Sequence, residues 1–315
     1  MIDGGAGGDG LYLGIEIGGT KLQVFTGDAK ARIVERHRFP VEPSSGSAGI
    51  RAQLEDIIPA LAKRVRPVAV GVGFGGPVDW KTGQICCSHQ IEGWSGFPLA
   101  SWLSELARAP VLADNDANLG ALGEAARGAG AGFNPVFYVT LGSGVGGGLV
   151  VGGKVFHGAP PGESEIGHVR LDRSGTVVES RCSGWAVDAK IRSAIARNPD
   201  STLARCVGKA DAHEAKFLNE ALSQKDPLAA AILEETAEDL AFGLSHVVHL
   251  FHPAIIVLGG GLALVGEALR AAVERLAPRF IMEAFAPGPR IALARLAEDA
   301  VPVGALCLAL ARPTA

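Results

Sequence analysis

Hydrophobic positions follow two rhythms along this chain. Short, β-branched, nearly continuous runs at residues 11–17, 22–25, 67–74, 111–113, 136–140, 149–151, 254–258 and 291–294 predict strands. The runs at 67–74 and 254–258 are apolar throughout, as in strands covered on both faces. Apolar residues three and four apart predict helices over 47–65, 101–107, 117–127, 187–197, 212–223, 226–249, 265–276 and 303–310. In the first of these the repeat is carried by Ile50, Leu54, Ile57, Ile58 and Leu61. Strands alternating with helices predict an α/β class. Residues 85–99, with Trp94, Gly96 and Pro98, read as irregular. No Pro- or Ser-rich linker divides the pattern, so the fold itself should join the halves.

Glycine interrupts the pattern at telling places. Between the strands at 11–17 and 22–25 stands Gly18-Gly19-Thr20-Lys21. Between those at 136–140 and 149–151 stands a turn with five glycines in residues 142–148. Removing Cβ atoms from such a turn lets backbone N–H groups converge on an anion. The same unit therefore occurs twice, and two such hairpins could clamp a polyphosphate. Residues 162–168 then place Glu165 and His168 three apart, where one helical turn would set both on one face to grip neighbouring hydroxyls. A nucleotide held with a polyol is the pairing these elements suggest.

Composition narrows the picture. A length of 315 residues suggests about two domains, and 48% hydrophobic against 20% charged residues supplies a large core. A net charge of −4 gives no support to a nucleic-acid or membrane partner. The five cysteines are odd in number and form no CxxC pair, which argues against a disulfide framework or a cysteine-rich metal site. No uncharged run reaches membrane-spanning length, and the first ten residues lack a signal-peptide pattern, so a cytoplasmic location is expected.

Residues 114–118, DNDAN, fall between a strand and a helix. In open α/β sheets that is where ligands bind. Asp and Asn are also favoured helix caps, but one cap suffices and here four polar side chains occupy five positions.

Four blocks in order, GIEIGGTK (14–21), DNDAN (114–118), TLGSGVGGG (140–148) with GESEIGH (162–168), and IIVLGGG (255–261), resemble the ROK family of sugar kinases and repressors. The likeness runs from Leu11 to about Leu310. It implies an α/β fold of two actin-like ATPase (ribonuclease H-like) domains around a cleft, similar to hexokinase. The first domain would be residues 1–118, completed by a C-terminal helix at 299–315, and the second 119–298. By the same resemblance Asp116 is the catalytic base and Asn115, Glu165 and His168 are sugar ligands. Glu16, Gly18, Gly19, Thr20 and Lys21 form the first nucleotide loop and Gly142, Ser143 and Gly144 the second, with Gly259, Gly260 and Gly261 near the adenosine. ATP with Mg²⁺ would be used, a hexose is the expected substrate, and a homodimer the expected assembly. Either an ATP-dependent hexose kinase or a sensor that binds sugar without turnover fits. A repressor needs an N-terminal DNA-reading module, and the short stretch before the first glycine hairpin offers little room for one, so a repressor is not expected.

The chain departs from the family at several points. Glu16 stands where Asp is usual, Ser164 where Gly is usual, and Gln90 and Gly96 where Asn is common. Most members bind zinc through three cysteines and a histidine after the Glu/His block. Here Cys182 alone falls nearby, and His168 with Cys182 cannot close a tetrahedral site, so no structural zinc is expected. Asp188 is not assigned to the sugar. Cys86-Cys87 is read as chemically ordinary, and His246, His249 and His252 as packing residues. Trp94 is read equally as a sugar platform or a core anchor.

Overall fold

The computed structural model of the chain describes residues 10–311 except 20, 89, 90, 161 and 163. Expectations for Thr20 and Gln90 lie outside the described residues. The chain divides into two compact units: Met1–Ala126 with His157–Glu163 and Asp299–Ala315, and Arg127–Phe156 with Ser164–Glu298.

The first unit contains, in order, β1 (Tyr12–Ile17), β2 (Lys21–Gly27), β3 (Ile33–Pro40), α1 (Gly46–Val65), β4 (Val70–Phe74), β5 (Val78–Asp79), β6 (Gln84–Ile85), α2 (Leu99–Ala107), β7 (Val111–Asn115) and α3, which begins at Asp116 and runs to Arg127. Its five-stranded sheet has the order β3-β2-β1-β4-β7. β1, β4 and β7 are parallel, and β2 and β3 turn back antiparallel. Every residue of β4 is buried, in line with its unbroken apolar run. β3 has no such run. It carries charged Glu35, Arg36 and Arg38 and has no buried residue, which suits a strand at a sheet edge. Trp94 is fully buried and meets Phe74 and Phe97 edge-on at 5.6 and 5.3 Å, so it is a core anchor and not a sugar platform.

The second unit contains β8 (Val136–Leu141), β9 (Val145–Val151), β10 (Lys154–Val155), α4 (Val178–Cys182), α5 (Gly184–Arg197), α6 (Thr202–Val207), α7 (Leu218–Ser223), α8 (Pro227–Phe251), β11 (Ile255–Gly259), α9 (Glu267–Leu276) and β12 (Arg290–Leu293). Its sheet has the order β10-β9-β8-β11-β12, the same plan as the first. The helix expected over 212–223 is a 3₁₀ turn, Glu214–Phe217, followed by α7. Glu179 and its neighbours form the short α4, which no run of apolar residues announces. The helical histidines do pack. His252 stacks on Phe285 at 4.0 Å, His246 meets Phe242 edge-on, and His249 Nε2 accepts the Met282 amide at 3.0 Å.

The chain closes with α10 (Ala300–Leu310), packed on β1 and β4 of the first unit. A Cβ on Gly71 would overlap the Ala305 carbonyl, so this sheet–helix approach requires glycine. Among the described residues no helix is long and apolar enough to cross a membrane.

Candidate active site

In the first unit the parallel strands end side by side. Glu16, Gly73 and Asp114 lie in register across β1, β4 and β7, and Ile17, Phe74 and Asn115 follow. The loops leaving these ends carry the candidate site residues of this unit. After β1 the Gly18 amide donates to the Lys21 carbonyl at 2.8 Å, closing the first glycine hairpin. After β4 the Gly75 amide donates to the Ile17 carbonyl at 2.8 Å. A Cβ on Gly75 would stand 3.4 Å from Gly18 Cα and 3.5 Å from Asp116 Oδ2. The Asp116 carboxylate therefore shares a small space with the first hairpin, at the start of a 12-residue helix.

Glu16 is engaged by its own sheet. Lys21 Nζ lies 3.3 Å from Glu16 Oε2, and the fully buried Gln23, opposite Glu16 on β2, donates to the same oxygen. Among the described residues no group of three or more His, Cys, Asp or Glu side chains is placed to hold a metal ion. One or two carboxylates at the phosphate loops suit Mg²⁺, which binds mostly through water and substrate phosphates.

Asn115 is the cap of α3. Its Oδ1 accepts the Ala117 amide at 2.8 Å and the Asn118 amide at 3.3 Å, and its Nδ2 donates to the Gly76 carbonyl at 3.2 Å. Asp114, almost wholly buried, accepts from Asn115 N, Asn118 Nδ2 and His157 Nε2. The sequence reading noticed the polar cluster, but not that a histidine 43 residues away completes it.

In the second unit the β8–β9 hairpin closes with the Gly142 amide donating to the Gly144 carbonyl at 2.9 Å. Three neighbours fix it. The Gly184 amide, opening α5, donates to the Gly142 carbonyl at 2.7 Å. Gly260, at φ 82°, lies so close that a Cβ would stand 2.5–2.6 Å from the backbone of Leu141. Glu179 of α4 accepts the Val145 amide at 2.9 Å. The second glycine loop and Gly259–Gly260 are thus brought together, while Gly261 faces open space. Ser183 caps α5.

The Glu165 and His168 block lies against the same hairpin. A Cβ on Gly147 would stand 2.9 Å from the Ser164 carbonyl, and one on Gly167 would overlap the carbonyl of Val145. Buried Ile166 and Gly167 anchor a 3₁₀ turn, and Glu165 and His168 flank them as exposed residues. Cys182 is fully buried with its Sγ directed to the Thr236 carbonyl, and burial pushes its thiol up to about 12. Asp188, also buried, accepts the Ala215 amide and serves the scaffold. Glu179 went unassigned in the sequence. Its signal was a carboxylate four residues before the Ser183 cap of a glycine-led helix.

The sequence profile of the ROK family matches residues 12–312. A glucokinase of Halalkalibacterium halodurans is 30% identical over 313 residues, covering 94% of this chain and 94% of that protein. The crystal structure of a ROK family glucokinase from Streptomyces griseus, in complex with glucose and AMPPNP, superposes with a TM-score of 0.82 at 30% identity, over 95% of this chain and 99% of that one. The ROK hexokinase of Thermus thermophilus gives a TM-score of 0.73 at 28% identity, over 95% and 97% of the two chains.

Proposed function

The chain belongs to the ROK family, and from that membership and the site's geometry we propose that it phosphorylates a hexose hydroxyl using ATP, with Asp116 as general base. It is a sugar kinase with the actin-like ATPase fold. The observation that carries the catalytic reading is Asp116 Oδ2 beside Gly18 and Gly75, at the start of α3.

Phosphoryl transfer is mostly positioning and charge stabilisation. The sugar hydroxyl is a poor nucleophile until a carboxylate within hydrogen-bond reach takes its proton. Asp116 accepts that proton as the new O–P bond forms and the bond to the departing ADP breaks. The backbone amides of Gly18–Gly19 and Gly142–Gly144 approach the phosphates without intervening Cβ atoms. Gly259–Gly261 borders the adenosine. Glu165 and His168, exposed on a turn anchored by Ile166, bind sugar hydroxyls. Glu16 and Asp116 would hold Mg²⁺ carried with the nucleotide, and the ion would supply charge neutralisation at the phosphates. The 6-hydroxyl of glucose or of an N-acetylhexosamine is the proposed acceptor.

The test is an ADP-release assay with Mg-ATP across a panel of hexoses and N-acetylhexosamines. Sugar-dependent ADP release with one sugar preferred is the expected result. Binding of sugar and nucleotide without ADP release would instead establish a non-catalytic sensor and overturn the proposal.

A further inference from the structure

Asp114 poses a problem that the reaction does not explain. Its side chain is 2% exposed, it lies two residues from the proposed base, and a buried polar group needs hydrogen-bond partners. Its Oδ1 is committed to the α3 entry, accepting Asn115 N at 2.8 Å and Asn118 Nδ2 at 2.9 Å. Its Oδ2 takes a hydrogen bond from His157 Nε2 at 2.8 Å. The imidazole is 14% exposed and stacks on the Trp80 indole, with ring centres 4.3 Å apart and planes inclined by 15°. His157, Trp80 and Asp114 come from three separate stretches of the first unit. One ring face rests on tryptophan while its edge N–H meets the carboxylate, so both the plane and the hydrogen-bond direction of the imidazole are fixed.

The geometry points to His157 as a positioning residue for phosphoryl transfer, acting through Asp114 on the turn that aims Asp116. This rests on the reading of Asp116 as general base. Asp114 and Asn115 together hold the α3 entry: Asp114 binds the amide of Asn115 and the side chain of Asn118, and Asn115 binds the amide of Ala117. Asp116 follows Asn115 directly as the first residue of α3. Without His157, Oδ2 becomes a buried acceptor with no donor among the described residues. The side chain must then rotate toward water or recruit another donor. Either response disturbs the two bonds at Oδ1 and with them the direction of Asp116. Trp80 does not touch Asp114 in this account; it limits the rotation of the imidazole.

The experiment uses the full chain, with kcat and both KM values measured for His157→Ala, His157→Gln, Asp114→Asn combined with His157→Ala, and Asp116→Asn. Sugar affinity by calorimetry and the urea midpoint are read for each. Small displacements of catalytic groups cost up to about a hundredfold in rate, so His157→Ala should lower kcat by roughly ten- to a hundredfold with both KM values within about twofold. His157→Gln, whose amide can still donate to Oδ2, should recover most of the loss. The double variant, which removes the unpaired acceptor, should be faster than His157→Ala alone. A His157→Ala kcat within about twofold of wild type would overturn the proposal. So would a loss expressed mainly as weaker sugar binding, or one that glutamine does not rescue; either would make His157 a sugar contact or a general scaffold residue. If His157→Ala fails to fold, His157→Gln against wild type decides, with near-wild-type kcat supporting positioning and a deep loss opposing it. Asp116→Asn separates the two readings. Wild-type turnover there defeats the general-base assignment itself, whereas an inactive Asp116→Asn beside a fully active His157→Ala defeats only the role of His157.

Discussion

Glu179 accepts the amide of Val145 at 2.9 Å, and its Oε2 stands 2.5 Å from the point a Cβ on Gly144 would occupy. The second glycine hairpin is therefore held by a side chain that depends on Gly144 having none. Arg181, two residues on in α4, pairs with Asp239 at 2.8 Å and with Glu235, tying the same short helix to α8. Gly144→Ala should displace the Glu179 carboxylate, and losing a bond to a charged group costs about 1.5 kcal/mol at a partly exposed site. In a Glu179→Ala background the added methyl meets no carboxylate, so the Gly144→Ala cost should fall toward zero. Urea unfolding of both single variants and the double variant measures the coupling. Strictly additive costs would show that the two residues do not constrain one another.

Asp116→Asn should reduce kcat by about a hundredfold or more, since a positioned base contributes on the order of 10²–10⁴. Sugar affinity should change little, because the amide is nearly isosteric and keeps the helix start. Steady-state ADP release and sugar calorimetry on the same preparation check both halves. Near-wild-type turnover would remove Asp116 from the chemistry.

Much of this site was legible in the sequence because its chemistry is local. The two strand–glycine–strand hairpins, the polar run after β7 and the Glu165–His168 spacing are each set within a few residues. What stayed hidden depends on contacts far apart in the chain. Nothing near His157 announces Asp114, 43 residues away, and nothing near Glu179 announces Val145, 34 residues away. The strand β3 escaped notice because an edge strand tolerates charges that break an apolar run. The apolar repeat alone begins α10 at 303, after Pro302, although proline is compatible with a first helical turn and the family resemblance places a helix from 299. Four polar residues at 114–118 suggested more than capping. The folded chain divides the work: Asn115 and Asp114 hold the helix entry, which leaves Asp116 beside the first glycine hairpin.

Cys182 leads to a prediction about metal and reactivity together. Zinc needs a thiolate, yet burial pushes this thiol up to about 12, and its Sγ faces the Thr236 carbonyl. A raised folded-state value means the neutral thiol persists through the whole neutral and mildly alkaline range. The purified protein should contain no stoichiometric zinc and keep its unfolding midpoint under chelation. Cys182 should resist alkylation at pH 8 while the exposed Cys86 reacts. Elemental analysis showing one zinc per chain, or peptide mapping showing Cys182 labelled in the native protein as fast as Cys86, would contradict this.

The sugar grip is the last expectation to be tested. Ile166 and Gly167 are buried against β9, so Glu165 and His168 are displayed from a turn that cannot easily shift. Glu165 should accept from a sugar hydroxyl, and His168 should donate or accept according to its tautomer. A hydrogen bond to a charged group is worth roughly 1.5–3 kcal/mol, or about tenfold to a hundredfold in kcat/KM. Sites built to bond hydroxyls reject analogues that lack one, because a polar group is then left unpaired. Glu165→Ala should accordingly raise KM for the sugar and lower turnover, and a deoxy sugar lacking the hydroxyl that Glu165 binds should lose less in this variant than in wild type. Nucleotide affinity should hold nearly constant, since Glu165 lies outside the Gly142–Gly144 turn. Titration of wild type and Glu165→Ala with sugar and, separately, with ATP decides the matter. Equal losses for both ligands would reassign Glu165 to the scaffold of the hairpin, and no loss for either would place the grip on other residues.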